Sequence, residues 1–148
     1  TFTQKVSWNN LDFIIVDMPP GTGDTQLTFS QEIKMDGVII VSTPQELALQ
    51  DVKRGIKMFD KLGVNIIGLV DNMSYFTGDD GKKYHIFGEG GVQKTAQEFK
   101  KEFLGEIPIN SEIGKQGDLG KPIVEKDPDH IISKIYLKLA EKIKLNYL

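Results

Sequence analysis

Three short runs of almost unbroken apolar, β-branched residues constrain this chain more than any other feature. Leu11 to Val16 (LDFIIV), Val38 to Val41 and Val64 to Val70 (VNIIGLV) have the length of strands and lack the polar alternation of half-exposed ones. Such runs suit strands buried on both faces of a parallel sheet. Helical segments fall between them. Thr25 to Lys34 reads as one helix and Pro44 to Leu62 as a second. In the second, Thr43 and Glu46 have capping-box spacing, Pro44 takes the first helical position and Gly63 is the natural stop. Leu49, Val52, Ile56, Phe59 and Leu62 follow three–four spacing along one face. Strand, helix, strand, helix, strand predicts an α/β fold with a doubly wound, mostly parallel sheet.

The second half is less regular. Asp71 to Gly91 reads as a long polar, Gly-rich loop, of a length that is usually functional or disordered. A helix from about Gln93 to Phe103 follows, then a short run ending at Ile107–Pro108, then a last helix from Asp127–Pro128 to about Lys144. Ile132, Ile135, Leu139 and Ile143 line one side of that helix and lysines the other. A helix packed on the sheet is the first reading, and a basic amphipathic membrane helix the alternative. The 148 residues fit one domain with a sizeable core. A formal net charge of −3 argues against a nucleic-acid partner, and no apolar run reaches the roughly 18 residues of a membrane span. No cysteine is present, which removes disulfides, thiolate nucleophiles and Cys-ligated clusters, and fits a cytoplasmic setting. The chain starts at Thr1 just ahead of an interior strand, so an upstream portion is expected to be missing.

The chemistry is concentrated after the first run. Asp17 is followed by Met18-Pro19-Pro20-Gly21-Thr22-Gly23-Asp24. An apolar strand ending in Asp is what a Walker-B element requires, one carboxylate held near Mg²⁺ through water. Two prolines and two glycines make a turn whose backbone N–H groups can approach a phosphate closely. The plain alternative is an Asp that caps the next helix. Asn72, at the end of the third run, fits an Asx turn on its residue type alone.

DFIIVDMPPGTGDTQLTFSQ, VIIVSTPQELALQDVKRGIKMF, GLVDNMSYF, IFGEGG and IPINSEIGKQGDLGKPIV occur in this order through nearly all of the chain. Together they closely resemble the Mrp/ApbC family, a MinD-like branch of the deviant P-loop ATPases described as iron–sulfur cluster carriers. The resemblance implies a P-loop NTPase fold and Mg²⁺-dependent ATP hydrolysis in a homodimer, with iron–sulfur apoproteins or assembly proteins as partners. It implies that Asp17 holds the magnesium shell and that Gly21, Thr22 and Asp24 form the switch turn sensing the γ-phosphate. It further implies that Asn72 reads adenine, with Pro108, Ile109 and Asn110 in the loop that closes on the base. Asp51 matches an aspartate of the TPQELALxD motif.

Two family features are absent from these 148 residues. No string has the G-x-x-x-x-G-K-[ST] spacing of the phosphate-binding loop, near KGGVGKS in the family. Gly88-Glu89-Gly90-Gly91 does not replace it, since Glu89 would repel phosphate. The chain alone is therefore expected to be inactive as an ATPase and to bind ATP weakly or not at all. Many family members also carry a C-x-x-C pair after NMSYF, two protomers together holding one 4Fe–4S cluster. Here the segment reads Thr77-Gly78-Asp79-Asp80-Gly81-Lys82-Lys83-Tyr84-His85, with no thiolate. An iron–sulfur carrier is the leading reading. The rivals are a positioning ATPase acting at a membrane or partner, and a non-catalytic scaffold that has lost cluster binding.

Overall fold

The computed structural model describes residues 6–19 and 24–147. At its centre β2 (Ile66–Thr77) is flanked by two parallel neighbours, β1 (Val38–Ser42) on one side and β4 (Phe103–Ile109) on the other. A two-residue strand, β3 (Lys83–Tyr84), returns antiparallel against the far end of β2. The helices are α1 (Asp24–Glu32), α2 (Glu46–Leu62), α3 (Gly91–Glu98), α4 (Ser111–Asp118), α5 (Ile123–Lys126) and α6 (Ile131–Tyr147).

The apolar run in β2 has no alternation because successive residues enter two different cores. Leu69 packs with Leu49, Val52 and Ile56 of α2 and with Val92 and Ala96 of α3. Val70, the next residue, points to the other face and joins Leu104, Ile107, Ile135 and Leu139, beneath α6. Helices on both faces make the sheet doubly wound, as the sequence predicts. Close approach of β2 to β4 requires Gly68, where a Cβ would lie 2.8 Å from the Glu102 carbonyl oxygen and 2.6 Å from Leu104 Cγ.

Helix α2 carries the expected apolar face, and Gly63 ends it in the left-handed conformation (φ 69°). Its start differs from expectation. The helix begins at Glu46 behind Gln45, which makes no side-chain cap, so the Thr43–Glu46 capping box does not form. Pro44 instead lies buried in the turn, its carbonyl within 3.4 Å of where a Cβ on Gly88 would sit. Helix α6 packs by Ile132, Ile135 and Leu139, and Lys142 Nζ donates to the Leu104 carbonyl at 2.9 Å. That face is committed to the sheet, in line with the packed reading.

Three expectations are corrected. The run Leu11–Val16 is not a strand, and all its apolar residues are exposed, Ile15 at 91%. A strand exists only through ladder bonds to a neighbour, and among the described residues no strand lies beside this run, since β1 pairs only with β2. The loop expected from Asp71 is in its first part the continuation of β2 to Thr77, because β4 and β3 supply partners there. The helix expected to reach Phe103 stops at Glu98; Phe103 opens β4, in register with Leu69. Helices α4 and α5 have no counterpart in the sequence reading.

Candidate functional site

The carboxyl ends of the parallel strands gather the residues expected to contact a base. Asn72 of β2 is in register with Ile107 of β4, directly ahead of Pro108, Ile109 and Asn110. Beyond Asn72 the ladder slips, resuming only at Phe76 opposite Ile109. Met73 takes up the slip in the left-handed region (φ 55°), which a residue with a Cβ rarely occupies. The Met73 N–H donates to Asn72 Oδ1 at 3.1 Å, and Ser74 Oγ donates to the Ile107 carbonyl at 3.2 Å. The bulge therefore leaves Asn72 on the last regular rung before the slip, one residue beyond the rung that Asp71 shares with Ser42 at the end of β1.

Asn110 has a local duty as well. Its Oδ1 accepts the Glu112 N–H at 2.9 Å and caps α4. Asn110→Ala is expected to cost about 1 kcal/mol, read as a lower urea midpoint at unchanged slope.

The hairpin after Asn72 is closed by its own side chains. Gly78 N–H donates to the Lys82 carbonyl at 2.9 Å, and Asp80 accepts from the Lys82 N–H and the Tyr84 hydroxyl, both at 3.0 Å. These bonds, the Lys82 N–H first, hold the Asp80 carboxyl below its ordinary value. Lys83 Nζ stands 3.9 Å above the Tyr75 ring centroid. Among the described residues no group of three or more His, Asp or Glu side chains is arranged to hold a metal ion. Iron–sulfur clusters select thiolates, the chain has none, and Asp80 is occupied within the turn, so the residues present here do not fit a cluster.

Sequence reasoning missed Asp71. It is 1% exposed, on the rung between Ser42 and Glu106, and its Oδ1 has no hydrogen-bond partner. Burial, then the Glu106 charge, push its carboxyl up to about 6, while His85 pulls it down. The available signal was an acid set directly after the apolar run GLV in a strand expected to be buried.

The other candidates lie apart. Asp17 is exposed in the segment 6–19, which no strand pairing joins to the sheet. It borders an apolar cavity of about 680 Å³ walled by Trp8, Leu11, Phe13, Ile14 and Phe29, which includes none of the four base-edge residues. Gly21 and Thr22 fall outside the described residues, and Asp24 is the first residue of α1. Gln26, buried in α1, donates to the Pro19 carbonyl and fastens the helix to the segment that ends there. Asp51 forms an i, i+3 ion pair with Arg54 on the exposed side of α2.

A parallel β1–β2–β4 core covered on both faces, with polar residues at its carboxyl edge, defines a P-loop NTPase-type α/β protein. Residues 1–144 match the ParA family described as NUBPL iron-transfer P-loop NTPases, and the chain belongs to that family. It is 44% identical over 144 residues to an iron–sulfur cluster carrier protein of Synechocystis, covering 96% of this chain and 41% of that protein. It is 46% identical over 142 residues to the mitochondrial iron–sulfur protein required for NADH dehydrogenase of Arabidopsis thaliana, covering 95% and 45%. The chain thus spans less than half the length of these two relatives. Among solved structures, a nucleotide-binding protein of Archaeoglobus fulgidus in complex with ADP superposes with a TM-score of 0.75 at 40% identity, over 87% of this chain and 52% of that one. The cell division ATPase MinD of Pyrococcus furiosus, at 24% identity and TM-score 0.71, shares the fold.

Proposed function

We propose that this chain supplies the base-reading edge and the magnesium-organising carboxylate of an ATPase that serves iron–sulfur cluster transfer. The observation that carries the reading is the register of Asn72 on β2 with Ile107 on β4, directly ahead of Pro108, Ile109 and Asn110. Asn72 would read the adenine edge, and the 108–110 turn would close over the base. Asp17, an exposed carboxylate after an apolar run, suits Mg²⁺ held through water; Gly21, Thr22 and Asp24 would sense the γ-phosphate. Bound Mg²⁺ would supply charge neutralisation for phosphoryl transfer. The complete ATPase works in the cytoplasm as a homodimer and meets iron–sulfur apoproteins or assembly proteins. The 4Fe–4S cluster is cargo by family resemblance alone, and these 148 residues supply no thiolate ligand for it.

Packing of α6 on β4 disfavours the rival positioning ATPase, because the apolar side of that helix is already covered. Among the described residues no helix is long and apolar enough to cross a membrane. The test is titration of Mg-ATP into the 148-residue chain and into a protein that also carries a KGGVGKS-type loop. The chain alone should show no affinity in the micromolar range. The loop-bearing protein should bind and hydrolyse ATP, and Asp17→Asn should slow hydrolysis by about a hundredfold or more while binding survives. Micromolar affinity of the chain alone, or undiminished turnover after Asp17→Asn, would overturn the reading.

A further inference from the structure

We propose that Ser74 is a positioning residue whose hydroxyl staples β2 to β4 inside the slip and so holds Asn72 at a fixed spacing from the 108–110 turn that closes on the base. This rests on the nucleotide reading above and adds to it a residue that acts without touching the ligand.

The need for a staple follows from the register. The two strands pair at Asn72–Ile107 and again at Phe76–Ile109. Between these rungs β2 has three residues, Met73, Ser74 and Tyr75, whereas β4 has one, Pro108. Regular pairing does not run through such a mismatch, so the ladder alone does not fix the strands there. Met73 occupies the left-handed region at φ 55°, a conformation that persists only where its surroundings enforce it.

Ser74 enforces it from two sides. The residue is 2% exposed. Its Oγ donates to the Ile107 carbonyl of β4 at 3.2 Å, and its own carbonyl accepts from His85 Nδ1 at 3.1 Å. Serine hydroxyls commonly bond the backbone of their own turn, but this one reaches 33 positions along the chain to a neighbouring strand. It therefore ties tertiary structure rather than a local bend.

The staple governs the residue on the other side of Met73. The Met73 N–H donates to Asn72 Oδ1 at 3.1 Å. A backbone N–H only donates, so the acceptor end of the Asn72 amide is committed there, and Nδ2 is the end left to meet an acceptor on a base. The direction of the Met73 N–H thus sets the direction of the amide, and the staple one residue further on sets Met73. On β4 the stapled carbonyl belongs to Ile107, immediately ahead of Pro108, Ile109 and Asn110. One hydroxyl fixes both halves of the base site.

The first arm of the test uses the 148-residue chain without nucleotide. Amide exchange at residues 73–77 and 109–110 should quicken about tenfold in Ser74→Ala while α2 keeps its protection, and Ser74→Thr, which retains the hydroxyl, should stay near wild type. The second arm uses the loop-bearing protein and three probes: Mg-ATP, Mg-GTP and Mg-tripolyphosphate, which has the phosphates and no base. Ser74→Ala should weaken ATP about tenfold, leave tripolyphosphate within about twofold and narrow the preference for ATP over GTP, with Ser74→Thr restoring all three. Unchanged exchange in Ser74→Ala, unchanged ATP affinity, or equal losses for ATP and tripolyphosphate overturn the proposal, the last because a merely structural serine acts on both alike. Should Ser74→Ala not fold, Ser74→Cys, a weak donor, takes its place. A wild-type protein that binds tripolyphosphate as tightly as ATP reads no base, and the nucleotide reading falls with the positioning role. A wild type that prefers ATP, with Ser74→Ala unaffected, overturns the role of Ser74 alone.

Discussion

Leu69→Ala should lower the stability of the chain by about 3–4 kcal/mol, and Ile15→Ala by less than about 0.5. Both residues belong to apolar runs that look alike in the sequence. Leu69 is 0% exposed, hydrogen-bonded into the middle strand and packed on Ile56, Val92 and Ala96 beneath two helices. Truncation there removes transfer free energy and leaves a cavity that a parallel sheet between helices cannot collapse around. Ile15 loses almost nothing, because water already surrounds it. For a domain of this size the Leu69 loss corresponds to a melting point lower by about 10 °C, measured by calorimetry or circular dichroism. Equal losses at the two positions would mean that the first run is packed like the third.

Asp71→Asn is expected to make the fold more stable at pH 7.5 and to change little at pH 4. The sign follows from linkage. The folded-state value of Asp71 is raised, from the ordinary 3.8 to about 6. Its stabilising contribution is therefore fully present below about pH 4 and lost as the pH rises through about 6. Above that the wild type keeps a charge inside the sheet. The displacement is equivalent to about 3 kcal/mol at most, and the unpaired amide hydrogens of Asn return part of it, so a gain of about 1–2 kcal/mol is expected. Urea unfolding at the two pH values measures it. A gain of the same size at both would remove ionisation as the cause.

Much of the scaffold was legible because its causes are local. Helix α2 follows from the spacing of Leu49, Val52 and Ile56 and from a glycine free to adopt φ 69° at its end. Strands β1 and the first part of β2 follow from β-branched runs too short for helices. The motifs around Asn72 and Pro108–Asn110 were also legible, as strings, although nothing in a string says that Asn72 and Ile107 share a rung. The extension of β2 to Thr77 was hidden because Asp71, Asn72 and Ser74 carry no strand pattern; the ladder to β4 holds Asp71 and Asn72, and Ser74 reaches the Ile107 carbonyl. Helix α4, which contains Gly114 and Gly117, forms against its weak propensity because Asn110 caps it and Ile113 packs into the core under α6.

The three apolar runs determined by themselves that this would be a layered α/β protein, and the ordered motifs determined its family. The runs could not say which of them would be strands. Hydrophobicity is a property of the residues, whereas a strand is a property of its neighbours: Val38–Ser42 and Ile66–Thr77 have partners, and Leu11–Val16 among the described residues has none. The same reason hid Asp71. Its charge is written in the sequence, but its cost arises only when the sheet closes around it.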